Sequence, residues 1–181
     1  MALRSGGIGP FDFGTASSSA VIDAIVVGLG APISNDLTLY PDADPVNGVY
    51  YTADGSAYLD NPVGRTTCWG HNFCVDFSGA ADASLHMIGW WYSGPRRLIF
   101  STASLTIGDT WSDFPHMDVY PGCYEGQGSH QGIFVRLQTD DPWQWTVDDA
   151  GIVPHLPDPT IAKVIWMSAG EGPVGTEGAD C

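Results

Sequence analysis

Phe73-Cys-Val-Asp-Phe77, Leu85-His-Met-Ile-Gly-Trp-Trp-Tyr92 and Arg97-Leu-Ile-Phe-Ser-Thr-Ala-Ser-Leu105 are the runs whose reading decides the fold of this 181-residue chain. They are short and rich in aromatic and β-branched residues, and turn-forming Gly, Pro or Asp residues separate them. Those are the marks of strands. The third alternates only in part, so its buried face is not fixed by its pattern. The same grammar continues on both sides. Leu37-Thr-Leu-Tyr40 stops at Pro41-Asp-Ala-Asp-Pro45, and Val49-Tyr-Tyr-Thr52 stops at Asp54-Gly55, a hairpin-type turn. Further runs cover 118–120, 132–139, 143–147 and 161–167. With 23 Gly and 13 Pro spread along the chain, long helices are excluded. The pattern predicts a mainly β protein, a single antiparallel sandwich or barrel domain.

One short helix is expected before the strands. In Ala20-Val-Ile-Asp-Ala-Ile-Val-Val-Gly28, Val21, Ile25 and Leu29 share a face, with Ile22 and Val26 beside them. Ser17–Ser19 supply an N-cap and Gly28 a stop. The β-branched residues argue for a buried strand instead, but length and caps favour the helix. Residues 1–17 are rich in Gly and Ser and read as an extended N-terminal arm, with Phe11 and Phe13 available to dock on a neighbour. Residues 18–168 form the β-rich domain. Residues 169–181 are too poor in apolar side chains to pack alone and read as a flexible acidic tail.

Charge narrows the function. Eighteen Asp and three Glu face five Arg and the single Lys163, a net charge of −15. Surface carboxylates at that density repel one another, and salt screens the repulsion, which points to work in brine. Aromatic residues at 12% exclude an acidic disordered chain. Direct nucleic-acid binding is disfavoured because Arg96-Arg97 is the only basic pair. No membrane span is expected, since the apolar stretch Ala20–Leu29 is short and contains Asp23. The N-terminus lacks an apolar signal core, so synthesis in the cytoplasm without a signal peptide is expected.

Several residue groups invite chemistry. Cys68, His71 and Cys74 stand three apart in Cys68-Trp-Gly-His-Asn-Phe-Cys74, and with Cys123 they make a four-ligand set of the kind zinc takes. A disulfide between some pair, or free thiols, are the competing readings, and four cysteines allow three full connectivities. Asp42, Asp44 and Asn47-Gly48 suggest a calcium loop, but Val46 stands where an oxygen ligand belongs, so an Asx turn is the better account. His116-Met-Asp118 and Gly128-Ser-His130 form no nucleophile elbow. The pairs Asp140-Asp141 and Asp148-Asp149 suit solvated turns better than an acid–base dyad. Trp90, Trp91, Trp111, Trp143 and Trp145 serve either as core and subunit interface or as stacking platforms for sugar rings. Trp143 and Trp145 share a strand face by spacing.

In its Asp-rich turns (Asp42-Ala-Asp44, Asp140-Asp141, Asp148-Asp149), its lone Lys163 and its Gly/Ser arm at 1–17, the chain resembles structural proteins of tailed viruses whose hosts are halophilic archaea. The likeness is one of composition and layout, and it transfers no catalytic residue. It implies a non-enzymatic virion subunit for capsid decoration, tail or fibre, partnered by its own copies and other virion proteins and needing no cofactor. The alternatives are a carbohydrate-binding module that reads a host surface glycan through the Trp clusters, and a halophilic enzyme with the Cys/His metal site.

Overall fold

The structure, a computed structural model, describes residues 2–94, 100–101, 106–110, 112, 116–120, 123–126, 131–138, 144–148, 151–155, 158 and 160–171. For 100–101, 116–120, 123–124, 126, 144–148 and 151–155 the description is of backbone alone. The protein is mainly β, with one α-helix and several antiparallel sheets in a sandwich-like arrangement. In chain order the first strands are β1 Ala2–Arg4, β2 Gly7–Ile8 and β3 Phe11–Asp12, followed by helix α1 Ser18–Leu29. Then come β4 Ser34–Leu39, β5 Asp42–Asp44, β6 Val49–Tyr51, β7 Tyr58–Leu59, β8 Val63–Trp69, β9 Phe73–Gly79 and β10 His86–Tyr92. The remainder are β11 Phe100–Ser101, β12 His116–Tyr120, β13 Cys123–Gly126, β14 Phe134–Gln138, β15 Gln144–Asp148, β16 Gly151–His155 and β17 Lys163–Gly170.

An eight-stranded sheet in the order β12-β13-β14-β17-β10-β9-β8-β4 is the frame. All of its pairings are antiparallel. Because side chains alternate across a sheet, its register sorts them into two faces. One face carries Trp69, Phe73, Val75, Phe77, Met87, Trp90, Tyr92, Val135 and Met167, all essentially inaccessible to solvent. The other carries Cys68, Cys74, Asp76 and Ser78 and supports a smaller cluster of Tyr40, Ala57, Leu59 and Ile88 under the β5-β6-β7 sheet. Gly64 permits that second layer, because a Cβ there would stand 2.7 Å from Leu59 Cδ1 and 2.9 Å from Tyr40 Cε2.

The N-terminal residues cover the apolar face, which changes their role from the one expected. Residues 1–17 contain β1–β3, a small meander that β11 joins in parallel. Leu3 and Ile8 are fully buried in the main core, and Phe11 and Phe13 pack against it. The Trp90 indole N–H donates to the Arg4 carbonyl at 2.9 Å, and the Gly14 N–H to the Met87 carbonyl at 2.8 Å. Phe11 and Phe13 are therefore committed to the chain's own core. A sheet face this apolar has to be covered, and these side chains contribute to its cover.

The helix forms where its periodicity placed it, with Val21 and Ile25 buried and the Ser17 hydroxyl accepting from the Ala20 N–H. It runs past Gly28 and stops at Gly30, whose φ of 80° closes the last turn through an N–H bond to the Val26 carbonyl. At the other end, β17 continues through Ala169 and Gly170, so the sheet extends into the expected tail, and Ala169 is buried. Gly170, at φ 82°, passes so close to Phe13 that a Cβ would stand 2.7 Å from its ring. The rest of the tail, 172–181, lies outside the described residues, as does most of the run 97–105.

Leu3→Ala separates an integral N-terminal segment from a loose arm. Loss of a fully buried Leu should lower the unfolding free energy by about 3 kcal/mol in a denaturant titration. An unchanged midpoint would show that these residues do not hold the core closed.

Candidate functional site

The Cys/His constellation lies at the β8–β9 hairpin. Cys68 and Cys74 are directly opposite one another in the register and are joined as a disulfide. Trp69 pairs with Phe73, leaving Gly70-His-Asn72 as the turn, with His71 and Asn72 at φ 68° and 54°. This is a covalently closed hairpin tip, and His71 is exposed on it. Cys123, on β13, is separated from β9 by β14, β17 and β10. Four strand spacings of about 4.8 Å put it roughly 19 Å from Cys74. The four-ligand set Cys68, His71, Cys74 and Cys123 is thus not assembled: two thiolates are spent in a bond and the third is across the sheet. Among the described residues no other group of three His, Cys, Asp or Glu side chains is placed to hold a metal ion.

The tryptophans divide. Trp90 faces the main core, 1% exposed, so it is no sugar platform. Its neighbour Trp91 faces the opposite side and is half-buried, opposite Cys74 on β9 and Ser168 on β17. Trp166, not singled out by the sequence, lies under the Arg136 guanidinium, 5.0 Å from ring centroid to Cζ. Trp145 is on β15, in a hairpin with β16. Trp111 and Trp143 lie outside the described residues, as do Gly128–His130, Asp140-Asp141 and Asp149.

The acidic turns behave as Asx turns. Asp44 Oδ1 accepts from the Val46 and Asn47 N–H groups while Oδ2 takes the Asn47 amide. Asp54 Oδ1 accepts from the Thr52 and Ser56 hydroxyls and the Ser56 N–H, which holds its carboxyl down at about 2. Each carboxylate is occupied by its own turn, which leaves no cage for calcium.

Asp76 is the exception, because among the aspartates whose side chains are described it alone is buried. It sits on β9 opposite Thr66, whose hydroxyl donates to Oδ1 at 2.6 Å. Desolvation dominates that hydrogen bond and pushes the carboxyl up to about 6. The Tyr40 phenol is raised by burial and then by the Asp76 charge. Two residues along, Ser78 Oγ is buried with no hydrogen-bond partner among the described residues. The two ion pairs among the described residues, Arg4–Asp12 and Arg65–Asp82, lie elsewhere. No pattern in the sequence distinguished Asp76 from the surface aspartates, because its burial depends on what covers that face.

Two apolar features remain. A cleft of about 410 Å³ runs between α1 (Ala24, Ile25, Leu29) and the β2–β3 turn (Ile8, Pro10, Phe11), with no charged side chain in its lining. The second is a set of exposed apolar side chains: Val27 is 90% exposed, Ile33 73%, Leu39 64% and Leu37 46%. Leu37 and Leu39, two residues apart, share one face of β4, an edge strand of the eight-stranded sheet. None of the four offers an acid, a base or a nucleophile, and exposed apolar side chains of this size suit contact with another surface.

Two variants test these assignments. With its pKa at about 6 when folded against an ordinary 3.8, Asp76 holds its proton more tightly in the folded state. Its contribution is therefore most favourable below about pH 4 and is lost as pH rises through about 6. Asp76→Asn, which keeps an acceptor for Thr66, should stabilise the protein by about 3 kcal/mol at neutral pH and little at acid pH. Equal effects at both would show that the buried charge is not the cause. Replacing Cys68 and Cys74 together by Ala opens a loop of small span and should cost roughly 2 kcal/mol in thermal unfolding. A change no larger than that of the reduced wild type against its oxidised form is the control.

No protein-family model, curated protein or solved structure matches the chain, so each assignment rests on its own residues.

Proposed function

We propose that the protein is a non-enzymatic structural subunit of a virus particle, working by protein–protein assembly in high salt. The observation that carries the reading is the exposure of Leu37 and Leu39 on one face of the edge strand β4, with Val27 and Ile33 exposed as well, on a chain of net charge −15. Large apolar side chains left exposed together on a strand face mark a surface that another molecule can cover. The aspartates support the brine half of the reading. Apart from Asp76, none of those whose side chains are described is buried, and several are tied into turns that hold the carboxylates toward water.

The other readings have less to stand on. A glycan platform through Trp90 and Trp91 keeps only Trp91, because Trp90 is core. The metal enzyme loses its ligands to the Cys68–Cys74 bond. That bond also belongs to a protein that meets an oxidising environment, as an exposed particle component does. Among the described residues no helix is long and apolar enough to cross a membrane.

Two measurements test the proposal together. The thermal midpoint should rise as KCl goes from tenths molar to several molar, because the Debye length falls from about 10 Å to below about 3 Å. In the concentrated salt, sedimentation should show species larger than the monomer. A midpoint indifferent to salt removes the brine part, and a monomer at every concentration removes assembly with its own copies.

A further inference from the structure

We infer that β4 is a self-pairing edge, through which two copies of this chain join their eight-stranded sheets across a two-fold axis at Leu37. The inference rests on the assembly reading and names the partner and the contact.

The two edges of the sheet differ. At one end, β12 is paired with β13 through a bulge between Asp118 and Tyr120, a device that disrupts an edge. At the other end, β4 pairs with β8 in unbroken register from Ser34–Cys68 to Leu39–Val63. It contains no Pro, no Lys and no bulge, and Asp36 is its one charge. Edges left this open are templates for another strand.

The hydrogen-bond phase shows which groups are free for pairing. The Tyr40 N–H donates to the Pro62 carbonyl, so residues of even number turn their backbone groups toward β8. Asn35, Leu37 and Leu39 therefore turn theirs outward. Antiparallel pairing with a second β4 must match these residues to one another. Centred on Asp36, it sets two carboxylates face to face. Centred on Thr38, it brings Pro41, with no N–H, opposite Asn35. Centred on Leu37, it pairs Ser34–Tyr40 throughout, puts Asp36 opposite Thr38, and gathers both Leu37 side chains with Leu39 on one face. Of these three registers, the one centred on Leu37 alone keeps the strand's single charge opposite a neutral residue and every outward N–H opposite a carbonyl, so the sequence of β4 fits a second copy of itself.

Engineered cysteines read the register. On the axis, two Leu37 Cα atoms stand about 5.5 Å apart, within disulfide reach, whereas two Leu39 positions are about 14 Å apart. In molar KCl, Leu37→Cys should give covalent dimer under mild oxidation well above the wild-type background, and Leu39→Cys should not. Leu37→Pro removes one outward N–H, leaves the β4–β8 bonds intact and should abolish association in sedimentation equilibrium. If the wild type associates but neither variant behaves so, the edge pairing is wrong and the assembly reading stands. If the wild type is monomeric at every concentration, the edge pairing falls together with assembly through the chain's own copies.

Discussion

One sheet face dictates most of this structure. Trp69, Phe73, Phe77, Trp90 and Tyr92 present a continuous aromatic surface on β8, β9 and β10, too large to leave in water. The chain covers it with its first thirty residues. Leu3 and Ile8 come from the meander and Val21 and Ile25 from the helix. Apolar burial alone would not orient this layer, because it has no direction. The Trp90 N–H to the Arg4 carbonyl and the Trp69 N–H to the Gly30 carbonyl at 3.1 Å supply direction, one at each end of the cover. Each satisfies an indole donor that the core would otherwise strand.

The opposite face obeys a different economy. Its row of Cys68, Cys74, Thr66, Asp76 and Ser78 is small and polar, and the β5–β7 layer rests on it around Tyr40 and Leu59. Within it, Asp76 has a single hydroxyl for company and no cation paired with it among the described residues. The site therefore works against folding at neutral pH, while the disulfide two residues away restrains the same hairpin covalently. The strand is held by its aromatic face and its crosslink, and it carries the carboxylate as a burden.

Much of this frame was legible in the sequence, and the omissions have physical causes. Runs with dense aromatic and β-branched content, such as 73–77 and 85–92, became the central strands. The helix and the Asp44 and Asp54 turns followed from capping and Asx chemistry, which are local. β8 was missed because Arg65-Thr-Thr67 interrupts its apolar signal, although Val63 and Trp69 mark its ends. The N-terminal meander reads as an arm because Gly and Ser hide its strands, and because β11, which pairs with β1 at Phe100–Ser101, and β10, on which it packs, lie far along the chain. Asp76 was indistinguishable from its solvated relatives, and the pairing of Cys68 with Cys74 was one of several open choices until the hairpin register brought them opposite. The burial of Asp76 and of the N-terminal segment depends on contacts distant in sequence, whereas the Cys68–Cys74 bond depends on a local hairpin register.

Acidity and the proposed self-pairing edge look contradictory in one molecule, and on that proposal salt reconciles them. At low ionic strength the charges of two such chains act over distances comparable with the domain, and any approach is opposed whichever surfaces face each other. In molar salt the reach of each carboxylate shrinks to about 3 Å, and only direct neighbours count. What then decides association is local: whether Asp36 meets Asp36 or Thr38, whether Leu37 meets a carboxylate or another Leu. Under those conditions an edge strand no longer needs a lysine or a proline to keep strangers away, because the aspartates elsewhere still leave few surfaces fit to touch it. On the proposed pairing, the composition that keeps the chain hydrated in brine also narrows its partners, and β4 is the place where the two requirements meet.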